Sequence, residues 1–208
     1  MFLPSQHCND SSHSNIIMSY RGYSLKKKNE AIDRILPASI TPLEFYNKYV
    51  RERRPVVFKA SLETVDERWK GTKLRWSNEY LKKVAGNSTV RVEYREDKRG
   101  DFGQGKEKTM KMEEFLDLIG QGDVMHYLTT QDLKVDEEGR PEMMTSPIVE
   151  LFNHGEFPLQ PSLLPHLIPF NLNLWFGNTK EGSSSGLHHD FHDNLYILIR
   201  GKKRFRLY

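Results

Sequence analysis

The chain has 208 residues, with 31 Lys+Arg against 28 Asp+Glu and a formal net charge of +3. That length suits one domain with a sizeable core, or one domain plus a tail, and the near balance of charge excludes the one-sided basicity of a dedicated nucleic-acid binder. No apolar run approaches the roughly 18 residues of a membrane-spanning helix, and a single cysteine, Cys8, excludes an internal disulfide and cysteine-based zinc clusters.

A lone cysteine favours a reducing compartment, cytoplasm or nucleus. Met1–Pro4 is not a basic stretch leading into an apolar one, so no secretory signal is expected. Residues 1–35 read as a disordered tail. Their Ser-, Asn- and Lys-rich pieces hold too few apolar groups to offset the entropy of ordering. The folded part is expected over 36–208.

Thr41-Pro42-Leu-Glu44 predicts a helix start, with Thr41 as N-cap, Pro42 at the first turn and Glu44 closing a capping box. Phe45, Tyr46 and Tyr49 give it an apolar stripe. Arg54-Pro-Val-Val-Phe-Lys reads as a short strand. Ser77 opens a helix that closes at Gly86. Ser88–Tyr94 alternates, placing Val90, Val92 and Tyr94 on one face.

Lys98–Lys108 reads as a charged loop, Met112–Ile119 as a helix ending at Gly120, and Val124–Thr129 as a strand. Asp132–Arg140 reads as another charged loop. Ser146-Pro147 repeats the pattern of N-cap and first-turn proline ahead of Ile148–Phe152. Phe157–Pro169 has no regular period. Phe170–Gly177 predicts a strand, Leu187–Leu198 another, Gly201-Lys202 a tight turn, and Arg204–Tyr208 the return strand.

Chemistry concentrates in Ser185-Gly-Leu-His-His-Asp-Phe-His-Asp-Asn-Leu-Tyr. Residues two apart on a strand share a face, so His188 and Asp190 would point the same way. An imidazole and a carboxylate so placed are two ligands of the 2-His-1-carboxylate facial triad, which leaves open positions on Fe(II). Asn194 has the same parity, and Lys203 can return to that face past the turn. His189 falls on the opposite face, and His192 reads as a rim residue. The tripeptide alone also fits a polar strand edge with a turn acceptor.

The wider pattern is more specific. Trp175-Phe-Gly, His188-x-Asp190, Asn194-Leu-Tyr and Gly201-x-Lys203-x-Phe205-x-Leu207 resemble the JmjC / cupin-8 family of Fe(II)- and 2-oxoglutarate-dependent oxygenases, notably its small hydroxylase branch. The resemblance runs from about 36 to 208 and is strongest over the last forty residues. It implies an α+β, mainly β fold: a double-stranded β-helix (jelly roll, cupin-like) with helical and mixed N-terminal decoration.

It also implies roles. His188 and Asp190 correspond to iron ligands. Lys203 corresponds to the basic partner of the distal carboxylate of 2-oxoglutarate, a charge-assisted pairing. Ser185 and Tyr127 match hydroxyls that reach the cosubstrate. Asn194 matches a pocket asparagine, and Trp175 matches a pocket wall or a core aromatic. Fe(II), 2-oxoglutarate and O2 are the implied cofactors. A protein or peptide substrate and a homodimer in a full-length form are the implied partners, with neither membrane nor nucleic acid expected.

The pattern departs from the family at one point. The triad's second histidine lies far downstream in the family, and no histidine follows His192 here. His126, His154 and His166 lie upstream, at spacings that do not suggest ligation. The expectation is therefore an incomplete domain, with the C-terminal half of the barrel missing and Phe170–Phe176 and Leu195–Ile199 left exposed. Protein hydroxylation is the first functional reading. Histone lysine demethylation, by the same iron chemistry, and a non-catalytic cupin-like interaction protein are the alternatives.

Overall fold

The computed structural model describes residues 31–97, 102–103, 106–155, 157–178, 184–190 and 192–207. Cys8 and the first 30 residues of the expected tail lie outside that set. Among the described residues, regular structure is already present before residue 36: β1 (Asp33–Ile35) falls in the last residues of the expected tail.

The capping box at Thr41 forms and starts α1 (Pro42–Phe45). Thr41 N donates to Glu44 Oε2 at 2.9 Å, and Glu44 N donates to Thr41 Oγ1 at 3.3 Å. A cap of this kind contributes about 1 kcal/mol. The helix continues as a π-helical turn, Tyr46–Val50. It ends where Arg54 N donates to Tyr49 O at 2.8 Å and Arg53 N to Val50 O at 3.0 Å. This is a Schellman motif, whose left-handed residue is usually glycine. Here that residue is Arg53, with φ 54°. A side chain in that region costs about 1–2 kcal/mol.

The turn delivers β2 (Val56–Phe58), which pairs in parallel with β1. Phe45 and Tyr49 pack with Leu163 and against Ile35, Val56 and Phe58, forming a small core of their own.

Two short helices follow, α2 (Leu62–Val65) and α3 (Thr72–Arg75). Between them the buried Asp66 takes bonds from the Arg68 guanidinium and from Ser162 N at 2.8 Å. Arg68, more than any other group, holds that carboxylate well below its usual range against the opposing effect of burial. The contact staples this segment to the Pro-rich stretch near 160.

Ser77 caps α4 (Asn78–Ala85), accepting from Tyr80 N at 3.2 Å. Next come β3 (Thr89–Tyr94), β4 (Glu107–Lys111), α5 (Met112–Gly120), β5 (His126–Leu128), α6 (Ile148–Asn153) and β6 (Phe176–Gly177). The sheet order is β4-β3-β5-β6, and every pairing is antiparallel. Register aligns Val92, Leu128 and Phe176 across β3, β5 and β6. That face packs on α4 and α5 through Leu81, Phe115, Leu116 and Ile119. Each side chain so buried contributes on the order of 1.5–3 kcal/mol. Neighbouring positions in the same register, Glu93, Tyr127 and Gly177, point to the opposite face.

Several expectations are corrected. β4 lies partly within the expected loop Lys98–Lys108. The α6 cap is Pro147 rather than Ser146, the Ser146–Pro147 bond is cis, and the Ser146 hydroxyl donates to Glu150 Oε1 at 2.6 Å instead of capping an amide. The expected strand Phe170–Gly177 pairs only at Phe176–Gly177. The described parts of Leu187–Leu198 and Arg204–Leu207 form no strand, because no neighbouring segment supplies a hydrogen-bond ladder to them.

Alternation governs packing over only part of those segments: Phe170 shares the parity of Leu172 and Leu174, and Leu195 that of Ile197 and Ile199, yet both stay exposed. Leu172, Leu174, Ile197 and Ile199 turn to the main core, while Phe170, Trp175, Leu195 and Leu198 remain exposed. Arg200 docks this end: its guanidinium lies 4.9 Å from the Phe176 ring centre and donates to Asn78 Oδ1 at 3.0 Å. Among the described residues the architecture is thus mixed α/β around an antiparallel sheet, less dominated by β-structure than expected.

Candidate functional site

The sheet face opposite the helices carries Tyr127 at its centre. Gly177 lies directly across from it, and a Cβ there would overlap the Tyr127 ring. The ring also packs on Phe102 at 5.1 Å, and Arg95 covers Phe102 with its guanidinium 4.9 Å from the ring centre. Glu93, 7% exposed, accepts a hydrogen bond from Gly103 N and so holds Phe102 over Tyr127. Burial pushes the Tyr127 phenol up to about 12, helped by the nearby Tyr196 and Glu93. At neutral pH its hydroxyl therefore remains a proton donor.

Trp175 sits beside it on the same face. Its indole N–H donates to Thr130 Oγ1 at 3.2 Å, and its ring stacks on Tyr196 at 5.9 Å. Tyr196 meets Phe205 edge-on at 5.0 Å, and Lys203 Nζ lies 5.9 Å from the Phe205 ring centre. Past the turn at Gly201 it is Phe205 that meets the Trp175–Tyr196 pair, with the exposed Lys203 two residues before it. At the other end, a Cβ on Gly103 would lie 3.6 Å from the Ser185 carbonyl oxygen, so Ser185 adjoins the Phe102–Tyr127 pair.

His188 and Asp190 come together without a strand to align them. His188 Nε2 lies 3.9 Å from Asp190 Oδ1, with both side chains about half exposed. His188 Nδ1 bonds to the Gly186 carbonyl at 3.1 Å. In the tautomer that donates from Nδ1, Nε2 keeps its lone pair, the arrangement typical of metal-ligating histidines. Asn194 Nδ2 donates to Asp190 Oδ2 at 2.7 Å, which leaves Oδ1 turned toward His188. One imidazole nitrogen and one carboxylate oxygen, each oriented by its outer atom, fit a divalent cation that prefers N and O donors.

These are two donors of the three a facial triad uses. Among the described residues no three His, Cys, Asp or Glu side chains group as a metal site. His126 is engaged elsewhere, with Nδ1 2.9 Å from Asp123 Oδ1. His192 stacks on Phe170 at 4.6 Å.

Compared with known proteins, residues 42–208 match the profile of the cupin-like domain. The chain belongs to the cupin-like JmjC family. Among its curated relatives, JmjC domain-containing protein 4 of Schizosaccharomyces pombe is 35% identical over 91% of this chain and 41% of its own length. JmjC domain-containing protein E of Dictyostelium discoideum is 25% identical over 95% of this chain and 57% of its own length. The human bifunctional peptidase and (3S)-lysyl hydroxylase JMJD7 is 27% identical over 79% of this chain and 50% of its own length. The chain thus spans about half the length of the curated relatives it matches.

Four residues of this cupin-like site escaped the sequence: Glu93, Phe102, Thr130 and Tyr196. Tyr196 was legible in principle, being two positions beyond Asn194 on the same parity. Glu93 left no signal of its own, because it shares the polar phase of the alternating strand with Thr89 and Arg91. Phe102 and Thr130 reach the face from outside the strands, and no period marks them.

Proposed function

We propose that this chain carries the Fe(II)- and 2-oxoglutarate-binding part of a dioxygenase site that hydroxylates a protein side chain. One observation carries the reading. Asp190 is clamped through one carboxylate oxygen and His188 is bonded through Nδ1, so that their remaining atoms face each other 3.9 Å apart.

His188 Nε2 and Asp190 Oδ1 would hold the metal. With 2-oxoglutarate bound, Fe(II) would supply oxidative decarboxylation coupled to oxygen insertion into a C–H bond. Tyr127 would donate a hydrogen bond to the cosubstrate carboxylate, since its phenol stays protonated. Lys203 would provide the opposing positive charge, a pairing stronger than a neutral hydrogen bond, and the Ser185 hydroxyl a further donor. Trp175, Tyr196 and Phe205 would form an apolar wall that limits water around the oxidising centre. The double-stranded β-helix of the family is the proposed frame, with β3, β5 and β6 as part of it.

The relative named as a lysyl hydroxylase makes a lysine-bearing protein or peptide the first substrate class to try. No helix among the described residues is long and apolar enough to cross a membrane. The single cysteine fits a cytoplasmic or nuclear setting.

The test is incubation with Fe(II), ascorbate, labelled 2-oxoglutarate and lysine-containing peptides. Release of labelled carbon dioxide coupled to a one-oxygen mass gain on the peptide is expected, and both should vanish in His188→Ala and Asp190→Ala. Turnover that survives those substitutions, or its absence from metal-loaded protein across the peptide panel, would overturn the reading.

A further inference from the structure

The segment that carries His188 and Asp190 has no strand ladder to hold it, yet its side chains are oriented. Long-range side-chain contacts tie it to the rest of the fold. His192 stacks on Phe170 at 4.6 Å. Asp193 Oδ1 takes a hydrogen bond from Arg53 Nη1 at 2.7 Å, across 140 residues of sequence.

The place from which Arg53 reaches is unusual. It is the left-handed residue of the Schellman motif that ends the Tyr46–Val50 turn, with φ 54°. If helix termination were the whole task, glycine would perform it without strain. A non-glycine residue in that conformation points to a role for its side chain, and that side chain makes a contact with Asp193.

Asp193 is covalently next to Asn194, whose amide clamps Asp190 Oδ2 at 2.7 Å. Fixing Asp193 therefore limits where the Asn194 amide can sit, and that in turn fixes the rotation of the Asp190 carboxylate. An ion pair this exposed (side chains 35% and 48% accessible) adds little to global stability. Its effect would be local and geometric.

We infer that Arg53 is a positioning residue for the candidate metal site, acting through Asp193 and Asn194 to hold the Asp190 carboxylate toward His188. The inference rests on the metal reading of His188 and Asp190, and the experiment separates the two.

Arg53→Gly, Arg53→Lys and Asp193→Ala are compared with the parent chain. Three quantities are measured: thermal stability, metal-free hydrogen exchange of the amides at 188–190 and 192–194, and Mn(II) affinity by titration. Arg53→Gly should melt at or above the parent temperature, because the left-handed strain is relieved. The same variant should exchange those amides several-fold faster and bind Mn(II) roughly tenfold more weakly, at the lower end of losses for outer partners of metal ligands. Arg53→Lys keeps the charge and should recover part of both losses. Asp193→Ala removes the bridge from its other end without touching the strained backbone, and should reproduce the exchange and affinity changes.

Unchanged exchange at 188–194 in both Arg53→Gly and Asp193→Ala would overturn the inference. His188→Ala and Asp190→Ala serve as the control on the metal reading. Mn(II) binding indifferent to both would overturn that reading and the proposed metal role of Arg53 with it, whereas faster exchange alone would still establish the tether.

Discussion

Asn194 donates its side-chain amide to Oδ2 of Asp190 at 2.7 Å, and the other carboxylate oxygen of Asp190 faces His188 Nε2. A carboxylate free to rotate could offer a metal either oxygen or both. Clamped at one oxygen, it offers a single donor in a set direction. Hydrogen-bonded partners of metal ligands commonly account for 10–100-fold in affinity. Asn194→Ala should therefore weaken Mn(II) or Fe(II) binding by roughly that factor while leaving the melting temperature unchanged, since the pair is exposed. Asn194→Asp should be worse, because it places a second carboxylate against the first. Isothermal titration with each variant checks both, and equal affinities across the three proteins would remove Asn194 from the site.

Tyr127 makes a prediction about pH. Burial, with Tyr196 and Glu93 nearby, pushes its phenol up to about 12. An unfolded chain ionises tyrosine near pH 10. Between those two values the folded state holds the proton more tightly than the unfolded state does. Stability should consequently fall as pH rises from about 10 toward 12, and below about 10 the group should contribute no pH dependence. Tyr127→Phe should flatten that part of the profile, read as the difference in urea midpoint between variant and parent. The same variant loses a hydrogen bond to a charged ligand, worth about 1.5–3 kcal/mol. It should raise the dissociation constant for 2-oxoglutarate by roughly 10–100-fold without altering metal affinity.

What could be foreseen from the residues divides along physical lines. The Thr41–Glu44 capping box and the Ser77 cap are local, set by atoms three residues apart, and both formed where expected. His188, Asp190 and Asn194 come together by a bend rather than by strand parity: Asn194 reaches Asp190 at 2.7 Å across four residues that an extended backbone would hold about 13 Å apart. β4 was hidden because Glu107–Lys111 is an edge strand with only Met110 partly covered, so it shows no hydrophobic alternation. The turn at Arg53 was hidden for the opposite reason: the glycine that would announce it is absent. Pairing partners and contacts across 140 residues, such as Arg53 with Asp193, leave no local trace.

Gly177 gives the sharpest steric test of the site face. It pairs opposite Tyr127, and its missing side chain is what lets the Tyr127 ring lie flat against β6. An added methyl would overlap the ring, and the ring has little room to yield because Phe102 packs on it at 5.1 Å and is itself covered by Arg95. Gly177→Ala must therefore either part β5 from β6 or swing Tyr127 out of place. Overpacking of this kind typically costs about 1–3 kcal/mol. If the ring moves, affinity for 2-oxoglutarate should fall as in Tyr127→Phe, and the phenol should titrate closer to its ordinary value as it gains water. If the strands part, the urea midpoint should drop further and the amide of Leu128, paired with Phe176, should lose protection from exchange. Combining Gly177→Ala with Tyr127→Ala separates steric conflict from strand propensity. Removing the ring should restore most of the stability lost at position 177, and a double variant no more stable than the sum of the single losses would show that the two residues do not collide.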